Sequence, residues 1–188
     1  GCIPLNEDGS LKEIQIYGKK YKGRELYDIL ETYVRRAFFA VDSMEQRKGM
    51  DILWFIWASP SSPLFGKDKM TTFERYFIAD KETHKETKGA YYHLLENEEV
   101  VDTLLQEFDL SPENGHIING HVPVHQGEGE SPVKCNGKVI VIDGGFCKAY
   151  QKVTGIAGYT LIYNSYGLIL SAHEPFTSKE DAVSKESD

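Results

Sequence analysis

The sequence predicts a layered α/β chain of the α+β kind, and three observations carry that expectation. Apolar residues recur at three- and four-residue spacing from Leu26 to Val41, the mark of a helix with one buried stripe. Two short apolar runs, at 117–119 and 139–142, each end in glycine and polar residues, as buried strands do. Asn136-Gly137 and the stretch 164–167 are hairpin signals.

The totals set the frame. A chain of 188 residues is long enough for one domain with a core. Apolar residues at 40% and charged residues at 27% describe an ordinary globular protein. A formal net charge of −8 argues against a general nucleic-acid binder; it leaves room for a phosphorylated small molecule held by a few local cations. Cys2, Cys135 and Cys147 are odd in number and widely spaced, so no disulfide framework is expected and a reducing cytoplasm fits. The longest apolar run, 52–58, falls far short of a membrane span, so no membrane partner is expected. Nothing reads as a signal peptide. The opening Gly1-Cys2-Ile3-Pro4 lacks methionine and reads as the interior of a longer protein.

In order along the chain, Asn6 to Ser10 is turn chemistry. Residues 11–17 alternate and predict a strand with Ile14 and Ile16 on one face; Gly18-Lys19-Lys20 then turns. The apolar stripe predicts one helix over 22–46, with Gly49 as its stop. Arg35, Arg36, Arg47 and Lys48 read as its solvated face. Residues 51–58 are apolar nearly throughout and predict a buried strand or a short buried helix. Ser59 to Pro63 breaks that element. Gly66, Lys67, Lys69 and Arg75 then form a basic cluster, which reads either as a phosphate site or as surface lysines with a structural arginine. Residues 79–89 are charged and expected at the surface, His84 among them. Asn97 is placed to cap a helix reaching Phe108.

The strand at 116–119 puts His121 just past its carboxyl end, between Gly120 and Val122-Pro123. Glycine permits a sharp turn and proline fixes the exit. A neutral imidazole held there is either a metal ligand or a plain strand cap. Residues 126–132 read as a mobile loop, 138–142 as a strand ended by Asp143-Gly144-Gly145, and 159–163 with 168–172 as a hairpin. Residues 177–188 read as a charged, frayed tail.

Four segments carry a resemblance. They are Ser-Pro-Leu-Phe-Gly-Lys-Asp-Lys-Met-Thr-Thr-Phe-Glu-Arg-Tyr-Phe (62–77), Asn-Gly-His-Val-Pro-Val (119–124), Ile-Asp-Gly-Gly-Phe-Cys-Lys-Ala-Tyr-Gln (142–151) and Thr-Gly-Ile-Ala-Gly-Tyr-Thr-Leu-Ile (154–162). With the opening nine residues, they resemble the class III fructose-1,6-bisphosphatases of Firmicutes, within the phosphoprotein-phosphatase branch of the calcineurin-like metallophosphoesterases. The resemblance implies the later half of a β-sandwich metallophosphoesterase flanked by helices: residues 1–176 as a partial domain lacking its first half, then the tail.

It further implies a dinuclear divalent-metal site, manganese being the expected ion, that hydrolyses fructose 1,6-bisphosphate to fructose 6-phosphate. His121 becomes a ligand of the second metal and Arg75 the phosphate-gripping, catalytic arginine. Lys67 and Lys69 become partners of the second phosphate. His125 lies four residues beyond His121, where related branches place a histidine two beyond; it reads as a non-ligand, or as an added ligand or proton donor. The early motifs Asp-x-His, Gly-Asp-x-x-Asp and Gly-Asn-His do not occur in this sequence. The resemblance therefore implies a segment that is inactive alone and completed by the remainder of a longer chain. Another phosphatase of the branch, acting on proteins or dinucleoside polyphosphates, stays open. So does a non-catalytic assembly module or homo-oligomer.

Overall fold

The computed structural model describes residues 2–156, 158–173 and 178–184. They form a mixed α/β structure with small sheets, divided into two compact units, Gly1–His116 and Ile117–Asp188.

The first unit starts with a two-stranded antiparallel sheet, β1 (Ile14–Ile16) and β2 (Lys19–Tyr21). Ile14 and Ile16 are both buried on one face, as the alternation predicts. The turn is tighter than expected: Tyr17 and Gly18 carry positive φ, and Lys19 and Lys20 belong to β2.

The expected single helix over 22–46 is two helices, α1 (Gly23–Phe39) and α2 (Ser43–Ala58). Asp42 makes the break. Its carboxylate accepts hydrogen bonds from Met44 N and Glu45 N, both at 2.9 Å, and so caps a new helix. A three-residue link folds α2 back on α1. Leu26 and Leu30 of α1, Ile52 of α2, and Ile14 and Ile16 make the core of this unit. Gly49 does not stop a helix. It lies where the two helices touch, and a Cβ there would meet Ala37 N at 2.4 Å and Tyr33 O at 2.5 Å.

Residues 51–58 are helical, within α2, and mostly not buried. Ile52 is 5% exposed, but Trp54 is 71% and Trp57 77% exposed. The predicted stripe likewise surfaces at its end, with Phe38 of α1 and Val41 of the link exposed. Arg35 pairs with Glu31, while Arg36 and Lys48 both pair with Glu45, consistent with a solvated face.

Helix α3 (Thr72–Phe77) and a 3-10 turn at Lys81–His84 follow. Then come α4 (Ala90–Leu94) and α5 (Glu98–Glu107). Asn97 caps α5 as expected, accepting from Glu99 N at 3.0 Å and Val100 N at 3.3 Å. Val100, Val101, Leu104 and Leu105 are its buried face. At the far end of α5, Glu107 accepts from Arg24 N in the first turn of α1, where a carboxylate suits the helix dipole.

The second unit is built on a three-stranded sheet. Strand β3 (Ile117–Asn119) runs parallel to β5 (Val139–Val141), and β4 (Val133–Lys134) pairs antiparallel with β5. The Asn136-Gly137 signal holds: both residues take positive φ in the turn between β4 and β5. Central position leaves β5 buried at all three residues. The stretch 126–132 is not wholly irregular, since Gln126–Glu128 forms a 3-10 turn. Helix α6 (Lys148–Thr154) precedes the hairpin of β6 (Tyr159–Asn164) and β7 (Gly167–Ala172), paired in register throughout. Val124, Val141, Ile156 and Tyr159 form this unit's core. Of the expected frayed tail, Lys179–Ser184 is helix α7; Thr177 and residues 185–188 lie outside the described residues. No described helix is long and apolar enough to cross a membrane.

The crossing at Gly49 yields a measurable expectation. Gly49→Ala gains helix propensity of about 1 kcal/mol, but its methyl strikes α1 backbone, which cannot yield as a side-chain tip would. Overpacking costs about 1–3 kcal/mol, so urea denaturation will show a net loss of stability.

Candidate functional site

Each candidate side chain is positioned by its own unit. In the first, the basic segment folds around one carboxylate, Glu86. Its Oε2 accepts from Lys67 Nζ at 2.6 Å. Its Oε1 accepts from Thr71 N at 2.8 Å and from Thr71 Oγ1 at 2.9 Å. Thr71 is fully buried and stands just before α3. One turn on, Arg75 Nε donates to Thr71 Oγ1 and Arg75 Nη2 to His84 O, both at 3.0 Å. Lys67 and Arg75 thus belong to one network, and the Arg75 side chain is tethered by two of its nitrogens. Lys69 is exposed and outside that network.

The network explains the state of Glu86. The Lys67 ammonium, then the Thr71 N–H and hydroxyl, hold its carboxyl at about 2, well below the ordinary value of 4.5. His84, expected as a plain surface residue, is half-buried: its Nε2 lies 2.9 Å from Glu74 O and 2.8 Å from Ile78 O. Glu86 and Thr71 were not singled out by sequence. Their signal, a carboxylate and a hydroxyl flanking the cations, is lost among many charges in 79–89.

In the second unit, β3 places His121 two residues past its end. The sharp turn belongs to the histidine itself. His121 has φ +72°, while Gly120 is not in the left-handed region. Val122 N donates to Gly120 O at 2.9 Å, and Val124 N to Asp143 O at 2.7 Å, which ties this turn to the end of β5. Asp143 Oδ1 in turn accepts from Gly145 N at 2.9 Å. The His121 imidazole is exposed, and no hydrogen-bond partner holds it among the described residues. A histidine in the left-handed region is uncommon, and such strain gathers at functional positions.

His125 is half-buried, and its Nδ1 is buried without a partner. Its backbone N–H donates to Glu130 Oε2 at 2.9 Å, and Glu130 also pairs with Lys134. Burial pushes the Glu130 carboxyl up; the His125 N–H and the Lys134 ammonium more than offset this and leave it below the ordinary value. The Tyr159 hydroxyl is likewise buried without a partner.

A metal ion needs several donors converging on one point. Among the described residues no group of three or more His, Cys, Asp or Glu side chains is placed to hold one. His121 supplies one exposed imidazole, so these residues fit a single contribution to a metal site, not the whole of it.

The family model for Firmicute fructose-1,6-bisphosphatase matches residues 1–188, and the chain belongs to that family. It is 60% identical to the fructose-1,6-bisphosphatase class 3 of Clostridioides difficile (strain 630), over 100% of this chain and 29% of that protein. It is 58% identical to the protein of that name from Clostridium botulinum (strain 657 / Type Ba4), over 97% of this chain and 28% of the relative. With the Clostridium tetani (strain Massachusetts / E88) protein it shares 56% identity, over 100% and 28%. The chain thus spans 28–29% of the length of these relatives. No solved structure matches.

Two measurements test this geometry. A carboxyl depressed in the folded state contributes stability above its unfolded pKa and loses it as pH falls through the folded value. The Glu86 contribution is therefore complete above about 4.5 and disappears toward about 2. Partial exposure of Lys67 discounts it to about 2 kcal/mol. Acid titration of thermal stability will be flatter in Glu86→Gln than in the wild type across that window. Separately, His121→Gly relieves left-handed strain and will raise stability by up to about 1 kcal/mol in urea denaturation.

Proposed function

We propose that this chain is part of a metal-dependent phosphatase that hydrolyses fructose 1,6-bisphosphate to fructose 6-phosphate and phosphate, a gluconeogenic step in the cytoplasm. The observation that carries the reading is the end-to-end family match over residues 1–188. In this reading the chain is the later half of a calcineurin-like sandwich, and residues outside it complete the site.

His121 contributes one imidazole to a divalent ion, manganese by the family resemblance; bound metal would polarise the phosphoryl group and activate water. Arg75 steadies charge on the phosphoryl oxygens as the ester breaks. Its support is geometric: two guanidinium nitrogens are tethered, at Thr71 and His84, and Nη1 has no partner among the described residues. Lys67 and Lys69 serve the second phosphate of the sugar. Lys67 is the better oriented of the two, because Glu86 holds it.

A second reading, an assembly module, draws support from exposed aromatic residues. Trp54, Trp57, Phe73, Tyr76 and Phe77 are each more than 70% exposed. The remainder of the parent chain or a second copy would cover them.

Full-length parent enzyme, loaded with manganese, will hydrolyse fructose 1,6-bisphosphate much faster than a phosphoserine peptide. Arg75→Ala in that protein will lower kcat by about 10²–10³-fold. This chain alone will show no turnover and only weak manganese uptake by calorimetry. Preference for the peptide would sink the substrate assignment, and turnover by this chain alone would sink the account of a shared site. Sedimentation of this chain as a stable oligomer, with no manganese uptake, would favour the assembly reading.

A further inference from the structure

His121 holds a left-handed backbone, φ +72°, which side chains other than glycine rarely adopt. Such a conformation persists where the flanking chain over-determines it. On the upstream side, Asn119 of β3 stands opposite Val141 of β5, and its carbonyl accepts from Ile142 N at 2.9 Å. On the downstream side, Val124 N donates to Asp143 O at 2.7 Å, and Val124 is fully buried. One residue further, His125 N donates to Glu130 Oε2 at 2.9 Å. The span 120–123 is thus strung between anchored ends.

The anchors differ in kind. Those at Asn119 and Val124 join backbone to backbone and do not depend on the identity of a side chain. The one at His125 depends on residue 130: a carboxylate or carboxamide of that length supplies the acceptor, and an alkyl side chain supplies none. Glu130 is itself secured. Its Oε1 accepts from Lys134 Nζ, and Lys134 lies in β4, paired with β5. The Lys134 side chain is only 16% exposed, which shields the pair from screening by salt. Glu130 N also donates to His125 O at 3.2 Å, beside Glu128 N at 2.9 Å. The His125 peptide is gripped at its N–H by the Glu130 side chain and at its carbonyl by two backbone amides.

We infer that Glu130 is a positioning residue for His121: by accepting the His125 N–H while paired with Lys134, it ties the end of the turn to the sheet and holds the His121 imidazole where an ion can meet it. Glu130 acts through the peptide chain and not as a ligand. Its role in metal binding rests on the reading of His121 as a ligand; its hold on the turn does not. Without that hold the turn relaxes out of the left-handed region. Only the molecules that still adopt it bind metal, and apparent affinity falls by that fraction.

The test uses the full-length parent enzyme, stripped of metal and titrated with manganese by calorimetry. Glu130→Ala is expected to weaken manganese binding about tenfold. Glu130→Gln, which keeps an acceptor oxygen, is expected to recover most of that loss. Glu130→Ala made in the His121→Ala background is expected to add no further loss, since nothing is left to position. Hydrogen exchange read by mass spectrometry is expected to quicken over residues 121–128 of Glu130→Ala and to stay unchanged over α5, which verifies the fold. Excess manganese will restore kcat in Glu130→Ala at unaltered KM. Lys134→Gln leaves the carboxylate but frees it from β4; it shows the same loss in weaker form and carries the test if Glu130→Ala does not fold. Affinity unchanged in Glu130→Ala, while His121→Ala weakens it, overturns the role of Glu130 and leaves His121 as the ligand. Losses that add in the double variant overturn it as well. Affinity unchanged in His121→Ala overturns the ligand reading itself, and the role of Glu130 in metal binding with it.

Discussion

Glu86 accepts from Lys67 on one oxygen and from Thr71 twice on the other, and Thr71 then holds Arg75. Charge-assisted hydrogen bonds of this kind are about twice as strong as neutral ones. They decide which cations of the basic segment are fixed and which stay available. Lys67 is pinned by its ion pair. Arg75 is oriented from behind, its guanidinium held by Thr71 and His84 O with no acid paired to it among the described residues. A guanidinium oriented by a hydroxyl and a carbonyl keeps its full charge for an incoming anion, which direct pairing with a carboxylate would quench.

Much of the fold was legible because it rests on local chemistry. Asn97 announces α5 through its side-chain oxygen, and Asn136-Gly137 announces the β4–β5 turn through its tolerance of positive φ. Ile14 and Ile16 alternate because a strand alternates. The break at Asp42 was not legible, since no glycine or proline marks it; the capping carboxylate begins a new helix there. The aromatic run in α2 misled for a different reason. Hydrophobicity says what a residue prefers, whereas burial depends on what is present to cover it, and Trp54 and Trp57 stay largely exposed among the described residues.

The site divides along the same line. His121 could be placed from sequence because a strand end is a local feature. That the histidine, and not its glycine neighbour, takes the left-handed turn could not, because both sequences of dihedrals satisfy the same residues until Val124 N is tied to Asp143 O. Lys67 and Arg75 were visible as charges. Their holder, Glu86, stands in a run of charged residues with no periodicity, and only the folded chain selects it.

Trp54 and Trp57 are the two tryptophans of the sequence, and both lie on the exposed side of α2. Indole emission depends on contact with water, so the intrinsic fluorescence of this chain reports on that one helix face. Unfolding will change it little, because these rings are already hydrated in the folded state. Covering the face will move it to shorter wavelength. The chain thus carries an internal optical probe that is nearly blind to its own folding and responsive to whatever packs against α2.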